Sequence, residues 1–179
     1  MKPPSSLALA APPEGALSGF GRPGATEMSE APRTASTGPL AACPGGRPQP
    51  IEMPEWLRPL GHVGGVCARG RLVFLAGQLG WDEQARIVGP DLLAQVRQAL
   101  RNVVSLLERA GAAPQHITHM TWYLTRPDEY ERQLPAIALA YSEVIGREFP
   151  PMTTVAVSSL LCGDACIAID ATAVVDDGA

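Results

Sequence analysis

Residues 92–107 decide most of what this chain can become. Leu92, Leu93, Val96, Leu100, Val103, Val104 and Leu107 recur every three or four positions, which draws one apolar stripe along a helix. Pro90 suits the first helical position, Asp91 brings a carboxylate to the positive end of the dipole, and Gly111 supplies the stop. A helix with one apolar side must lay that side on something. The neighbouring runs "RLVFLAGQL" and "ITHMTWYLT" are rich in β-branched and aromatic residues and read as strands. Helix on sheet is the consequence.

The remaining elements follow from local punctuation. Between Gly64 and Leu79, two apolar runs flank "ARGR", and Gly70 suits a tight turn, so a β-hairpin is expected. Asp128 is placed to cap a second helical stretch. Pro135 falls inside it, which predicts a broken turn and a fresh helix from Pro135 to Ile145, ended by Gly146. The double proline of "REFPPMTTVAV" stops the chain, and strands follow around Thr153–Ser158 and Ala165–Val175. The order is β-β-α-β-α-β-β, an α+β domain of about 120 ordered residues with both helices on one face of a mixed sheet. Its other face needs a cover, and in so small a domain a second subunit would provide it.

Composition divides the chain. Ten of the 18 prolines and 7 of the 18 glycines fall in the first 50 residues. Such a segment buries too little apolar surface to offset its ordering entropy, so residues 1–52 are read as a disordered tail and 53–179 as the domain. The short "SLALAA" run after Lys2 is hemmed in by prolines and makes a poor export signal; Met28 and Met53 are alternative starts. A formal charge of −4 leaves no basic footprint for nucleic acid. No stretch reaches the ~20 apolar residues of a membrane helix. Cys43, Cys67, Cys162 and Cys166 are too scattered for a disulfide scaffold and are read as reduced thiols of a cytoplasmic protein.

Several motifs bring together residues that can carry chemistry. His116 and His119 enter a strand, where positions three apart face opposite ways, and no third ligand accompanies them, so no metal site is assigned. "CGDAC" has three residues between its thiols and reads as a turn between strands. Trp122 and Tyr123 must face opposite sides of their strand, with core or subunit packing favoured over a substrate platform. "LAGQLG" lacks the strand–GxGxxG–helix setting of a dinucleotide site, and no G-x-S-x-G elbow or P-loop occurs. Asp170 stands apart, a carboxylate among apolar residues in "CIAIDATAVV". Burying it demands a partner, so it is either a member of a structural ion pair or a satisfied backbone acceptor, or else an acid or water-positioning group at a subunit cleft.

The segments "RGRLVFLAGQLGWD", "QVRQALRNVVSLLERAGA", "HITHMTWYLTRPDEY", "FPPMTTVAV" and "AIDATAVV" together resemble the Rid family, also called YjgF, of enamine/imine deaminases, from about Gly61 to Val175. The resemblance implies a chorismate-mutase-like fold and a homotrimer with ligand clefts between subunits. It also implies hydrolysis of a reactive imine to a carbonyl compound and ammonia without a cofactor, a detoxifying role. In the best-known members, the residue two after "FP" is an arginine that holds the substrate carboxylate; here it is Met152, which offers packing but no charge. The family's early tyrosine matches His62, a pocket thiol position matches Thr154, and the glutamate that orients water matches Asp170.

Losing a charge-assisted bidentate contact costs about 1.5–3 kcal/mol, enough to make a small anionic enamine a poor substrate. The favoured reading is a deaminase of altered substrate. Asp170 positions water, and His62, whose ring type titrates near neutrality, is a possible proton donor. Met152, Thr154, Gly77 and Gln78 contact the ligand, and Arg147 or Arg86 would have to anchor an acidic one. The alternatives are a non-catalytic trimer that binds a small metabolite or a protein, and a purely structural oligomer.

Overall fold

The stripe at 92–107 becomes the inner face of α1 (Leu92–Arg109), where Leu92, Val96, Leu100, Val103 and Leu107 have no exposure at all. Asp91 is the N-cap rather than a first-turn residue, its carboxylate accepting from Ala94 N at 2.8 Å, and Pro90 stands just outside. The structure, a computed structural model, describes residues 46–51 and 63–177. The order is β1 (Gln49–Pro50), β2 (Val66–Cys67), β3 (Arg71–Leu79), α1, β4 (Ile117–Leu124), α2 (Pro127–Val144), β5 (Met152–Ala156) and β6 (Ile167–Val175). Four strands form one sheet in the order β3-β6-β4-β5, antiparallel except for the parallel pair β4–β5 that α2 connects. The α+β class, with two helices packed on a mixed sheet, is the one expected.

Several local expectations are corrected. The hairpin around Gly70 does not close: β2 pairs with β1, and β3 runs antiparallel to β6 instead. Gly70 has φ +146°, and a Cβ there would lie 2.1 Å from the Val175 carbonyl oxygen, so glycine lets the chain press against the end of β6. The short β1 strand pairs Gln49 with Cys67 and Pro50 with Val66. Secondly, α2 is continuous through Pro135, which is exposed, as is Glu131, so water can reach the carbonyl that proline leaves unpaired. Its N-cap is Arg126, not Asp128, with Pro127 as the first helical residue and Asp128 and Glu129 at the positive end. Thirdly, Cys67 is disulfide-bonded, against the reading of four reduced thiols, while Cys162 and Cys166 are free. The "CGDAC" segment is a turn, closed by Ala165 N donating to Cys162 O at 3.0 Å.

The core lies between the helices and one sheet face, with Met120, Trp122, Ile167, Ile169 and Ala173 meeting the α1 stripe and Ile137 of α2. A fully buried polar side chain, Gln95, fastens it to the loops. Gln95 Nε2 donates to Gly89 O (2.7 Å) and Asp164 O (2.9 Å), and Oε1 accepts from Cys166 N (2.7 Å). No helix among the described residues is long and apolar enough to cross a membrane.

Candidate functional site

Strand alternation sends Asp170 away from the helices, since Ile169 and Ala171 on either side of it are core. Thr121 of β4 lies directly opposite it, and Thr153 of β5 lies opposite Thr121, so the three share the open sheet face. The carboxylate is held by two donors: Thr121 N at 3.2 Å on Oδ1, and the Tyr123 hydroxyl at 3.1 Å on Oδ2. Among the described residues it has no ion-pair partner. It is half-buried, which leaves lone pairs for a further donor such as water. Gly77 reaches the same face, for Ala76 and Gly77 form the irregular step between Leu75↔Ala171 and Gln78↔Ile169, opposite Asp170. Gln78 turns to the other side, is 9% exposed, and donates from Nε2 to Ala76 O at 2.8 Å.

Met152 and Thr154 also point the other way. Met152 pairs with buried Met120 and Thr154 with buried Trp122, so both face α2. Burial pushes the Tyr130 phenol up, and the neighbouring Thr154 side chain acts against that shift. Met152 lines a cavity of about 230 Å³ between α2 and the β4–β5 edge, with Trp122, Tyr130, Leu134, Tyr141 and Phe149 around it. Its rings are set by mutual packing: Trp122 meets Tyr130 edge-on and Tyr141 at 40°, and Tyr141 stacks on Phe149, each at 6.3 Å between centroids. The Tyr141 hydroxyl donates to Glu148 O at 2.8 Å, and burial, helped by Glu148, pushes its phenol well up.

One protomer therefore brings Asp170 and Gly77 together on one face and Met152 and Thr154 together on the other. Arg147 is exposed between α2 and β5 and does not line the cavity. Arg86 is engaged in its own loop, with Nε and Nη2 at 3.3 and 3.0 Å from Asp82 Oδ2. Contacts to Arg86 groups, the backbone N–H foremost, hold the exposed Asp82 carboxyl below its ordinary value. His62 lies outside the described residues. His116 is occupied locally, its Nδ1 accepting from Ala113 N at 2.9 Å. Tyr123 as the hydroxyl partner of Asp170 was missed from sequence; its placement opposite Trp122 was the available signal, but the β4–β6 register was needed to use it.

A two-helix α+β domain with a ligand-sized aromatic cavity and a half-buried carboxylate on the uncovered sheet face is the class defined here. Residues 57–175 match the family model described as endoribonuclease L-PSP, so the chain belongs to that family, the one also called Rid or YjgF. It is similar to a RutC family protein of Pyrococcus abyssi, 30% identical over 104 residues that span 58% of this chain and 79% of the relative. A solved Rid-family protein of unknown function from Yersinia pestis is 29% identical, with a TM-score of 0.64 over 73% of this chain and 100% of its own. RidA from an Antarctic Psychrobacter shares the fold at 20% identity, with a TM-score of 0.53 over 71% of this chain and 94% of its own.

Proposed function

We propose that this protein is a cofactor-free imine hydrolase of the enamine/imine deaminase type, clearing a reactive imine in clefts between the subunits of a homotrimer. The observation that carries the reading is Asp170, whose carboxylate is oriented by Thr121 N and the Tyr123 hydroxyl and has no cation among the described residues to neutralise it. Such a group can hold a water and take its proton. The water oxygen bonds to the imine carbon while the C=N π pair moves to nitrogen, which takes up a proton. The resulting carbinolamine then collapses: C=O forms, the C–N bond breaks, and the nitrogen leaves as ammonia with the proton lost by the hydroxyl. An enamine enters the same sequence after a proton moves to its β-carbon. Reactants and products balance as imine plus water giving carbonyl plus ammonia.

The need for more than one subunit follows from direction. Asp170 and Gly77 face away from Met152 and Thr154 within a protomer, so one ligand could touch both sets only where two protomers meet. Leu72 and Phe74 on the open face, 57% and 72% exposed, also call for a cover. Family membership favours small-molecule chemistry of this kind, although the family description speaks of an endoribonuclease; a net charge of −4 suits RNA poorly. Met152 in place of the expected arginine favours a second reading, a cleft that binds without turnover.

Ammonia release from imines generated in situ by an amino-acid or amine oxidase separates these readings. Asp170→Asn is expected to lower the rate at least about 100-fold, the usual weight of a general base. An unchanged rate would remove Asp170 from the reaction, and saturable binding without any release would favour the second reading.

A further inference from the structure

We propose that the cavity between α2 and the β4–β5 edge takes an uncharged aromatic or branched-hydrocarbon substituent, so that the substrate class is a bulky neutral imine. The inference rests on the deaminase reading above and names its substrate. The cavity measures about 230 Å³. An apolar hole of about 150 Å³ is enough for benzene, so a ring with a short branch is a fitting occupant. None of the described residues lining it carries a charge.

The Tyr141 and Ser142 hydroxyls in its wall are already engaged. The Tyr141 hydroxyl donates to Glu148 O, and Ser142 Oγ donates to Ala138 O at 3.0 Å. A carboxylate entering this space would give up its water without gaining a cation. An aromatic or branched group meets rings and a thioether, which are its best packing partners. The Trp122 indole forms part of the wall, and its Nε1–H is the one buried side-chain polar atom among the described residues without a partner. Leu134 and Phe149 line the cavity while 48% and 59% exposed, apolar surface that an occupant would cover.

The test is calorimetric titration of the full chain with acetophenone, benzoylformate and pyruvate, the carbonyl counterparts of a neutral aromatic, an anionic aromatic and a small anionic imine. Acetophenone is expected to bind saturably and at least about tenfold tighter than either acid. Met152→Arg, at a position exposed enough to accept the longer side chain, is expected to shift preference toward benzoylformate by about tenfold or more, the usual weight of a charge-assisted contact. Leu134→Asp, at a site 48% exposed, is expected to weaken acetophenone without gaining the acids.

Absence of saturable acetophenone binding, as when another part of the chain or a second copy fills the cavity, would overturn the proposal. So would tighter binding of either acid, or an unmoved preference in Met152→Arg. Ammonia release from 1-phenylethanimine, made in situ by an amine oxidase, is followed in parallel with and without Asp170→Asn. Preferred acetophenone binding with no Asp170-dependent release would sink the catalytic reading and leave the cavity assignment standing. Asp170-dependent release from 2-aminoacrylate together with no acetophenone binding would do the reverse.

Discussion

Gln95→Leu tests whether the fold depends on its buried amide. Leucine has nearly the same volume, so the change opens little space and isolates the hydrogen bonds. Cys166 N belongs to a residue only 1% exposed, and losing its 2.7 Å bond to Gln95 Oε1 leaves that donor stranded. A stranded buried N–H costs about 1–3 kcal/mol. The other two partners, Gly89 O and Asp164 O, belong to a half-buried and an exposed residue, so water can replace much of their loss, at about 0.5 kcal/mol each. The sum is about 2–4 kcal/mol, which for a domain of this size lowers Tm by roughly 10 °C. Urea unfolding followed by circular dichroism gives the free energy directly. An unchanged m value with a lowered midpoint is expected. A loss below about 1 kcal/mol would mean that water or a shifted loop takes over the bonds, and the reasoning from burial would be wrong.

Other perturbations probe neighbouring claims. Gly80→Ala would set a Cβ 2.6 Å from the Gln95 Cα, with backbone rather than a flexible side chain in the way, and should cost about 1–3 kcal/mol; wild-type melting would refute the close approach. Pro135→Ala should stabilise the chain, since α2 runs unbroken through a residue that cannot donate to it; a lowered urea midpoint would show that the proline ring packs usefully there. Iodoacetamide at neutral pH should label half-exposed Cys162 well before Cys166, which is buried and whose thiol burial pushes up; equal rates by peptide mass spectrometry would contradict both points.

Much of this fold could be read from local pattern, because each signal acted over one element. The apolar stripe and Asp91 sufficed for α1, and alternation through "ITHMTWYLT" placed Trp122 inside and Tyr123 outside. Where the reading failed, a distant segment decided. The chain at Gly70 answered to the end of β6, and Pro135 was carried by helix packing on both sides of it, at Tyr130 and at Ile137 and Tyr141. Gln95 sits within the apolar arc, one residue before Val96, yet nothing local says that its amide will meet Asp164 and Cys166, some seventy positions later. The candidate site divides likewise. Asp170 was visible as an isolated carboxylate, whereas Tyr123 became its partner only through the pairing of β4 with β6.

That pairing also changes what Met152 means. Parallel alignment sets Thr153 beside Thr121, which lies opposite Asp170, so period two obliges Met152 and Thr154 to face α2. A charge at 152 would therefore not stand on the face of Asp170; it would project toward Trp122, Tyr141 and Phe149, where no described lining residue is charged. In such surroundings a guanidinium would need its ligand's carboxylate to offset its desolvation, while a thioether packs against rings with nothing left unpaired. Methionine and an uncharged cavity are thus one consistent choice rather than the simple loss of a catalytic part. On the reading proposed here, the face that carries Asp170 governs the reaction and the face that carries Met152 governs what is bound. A substitution at 152 can then redirect the substrate while the hydrogen bonds from Thr121 and Tyr123 to the carboxylate stay as they are.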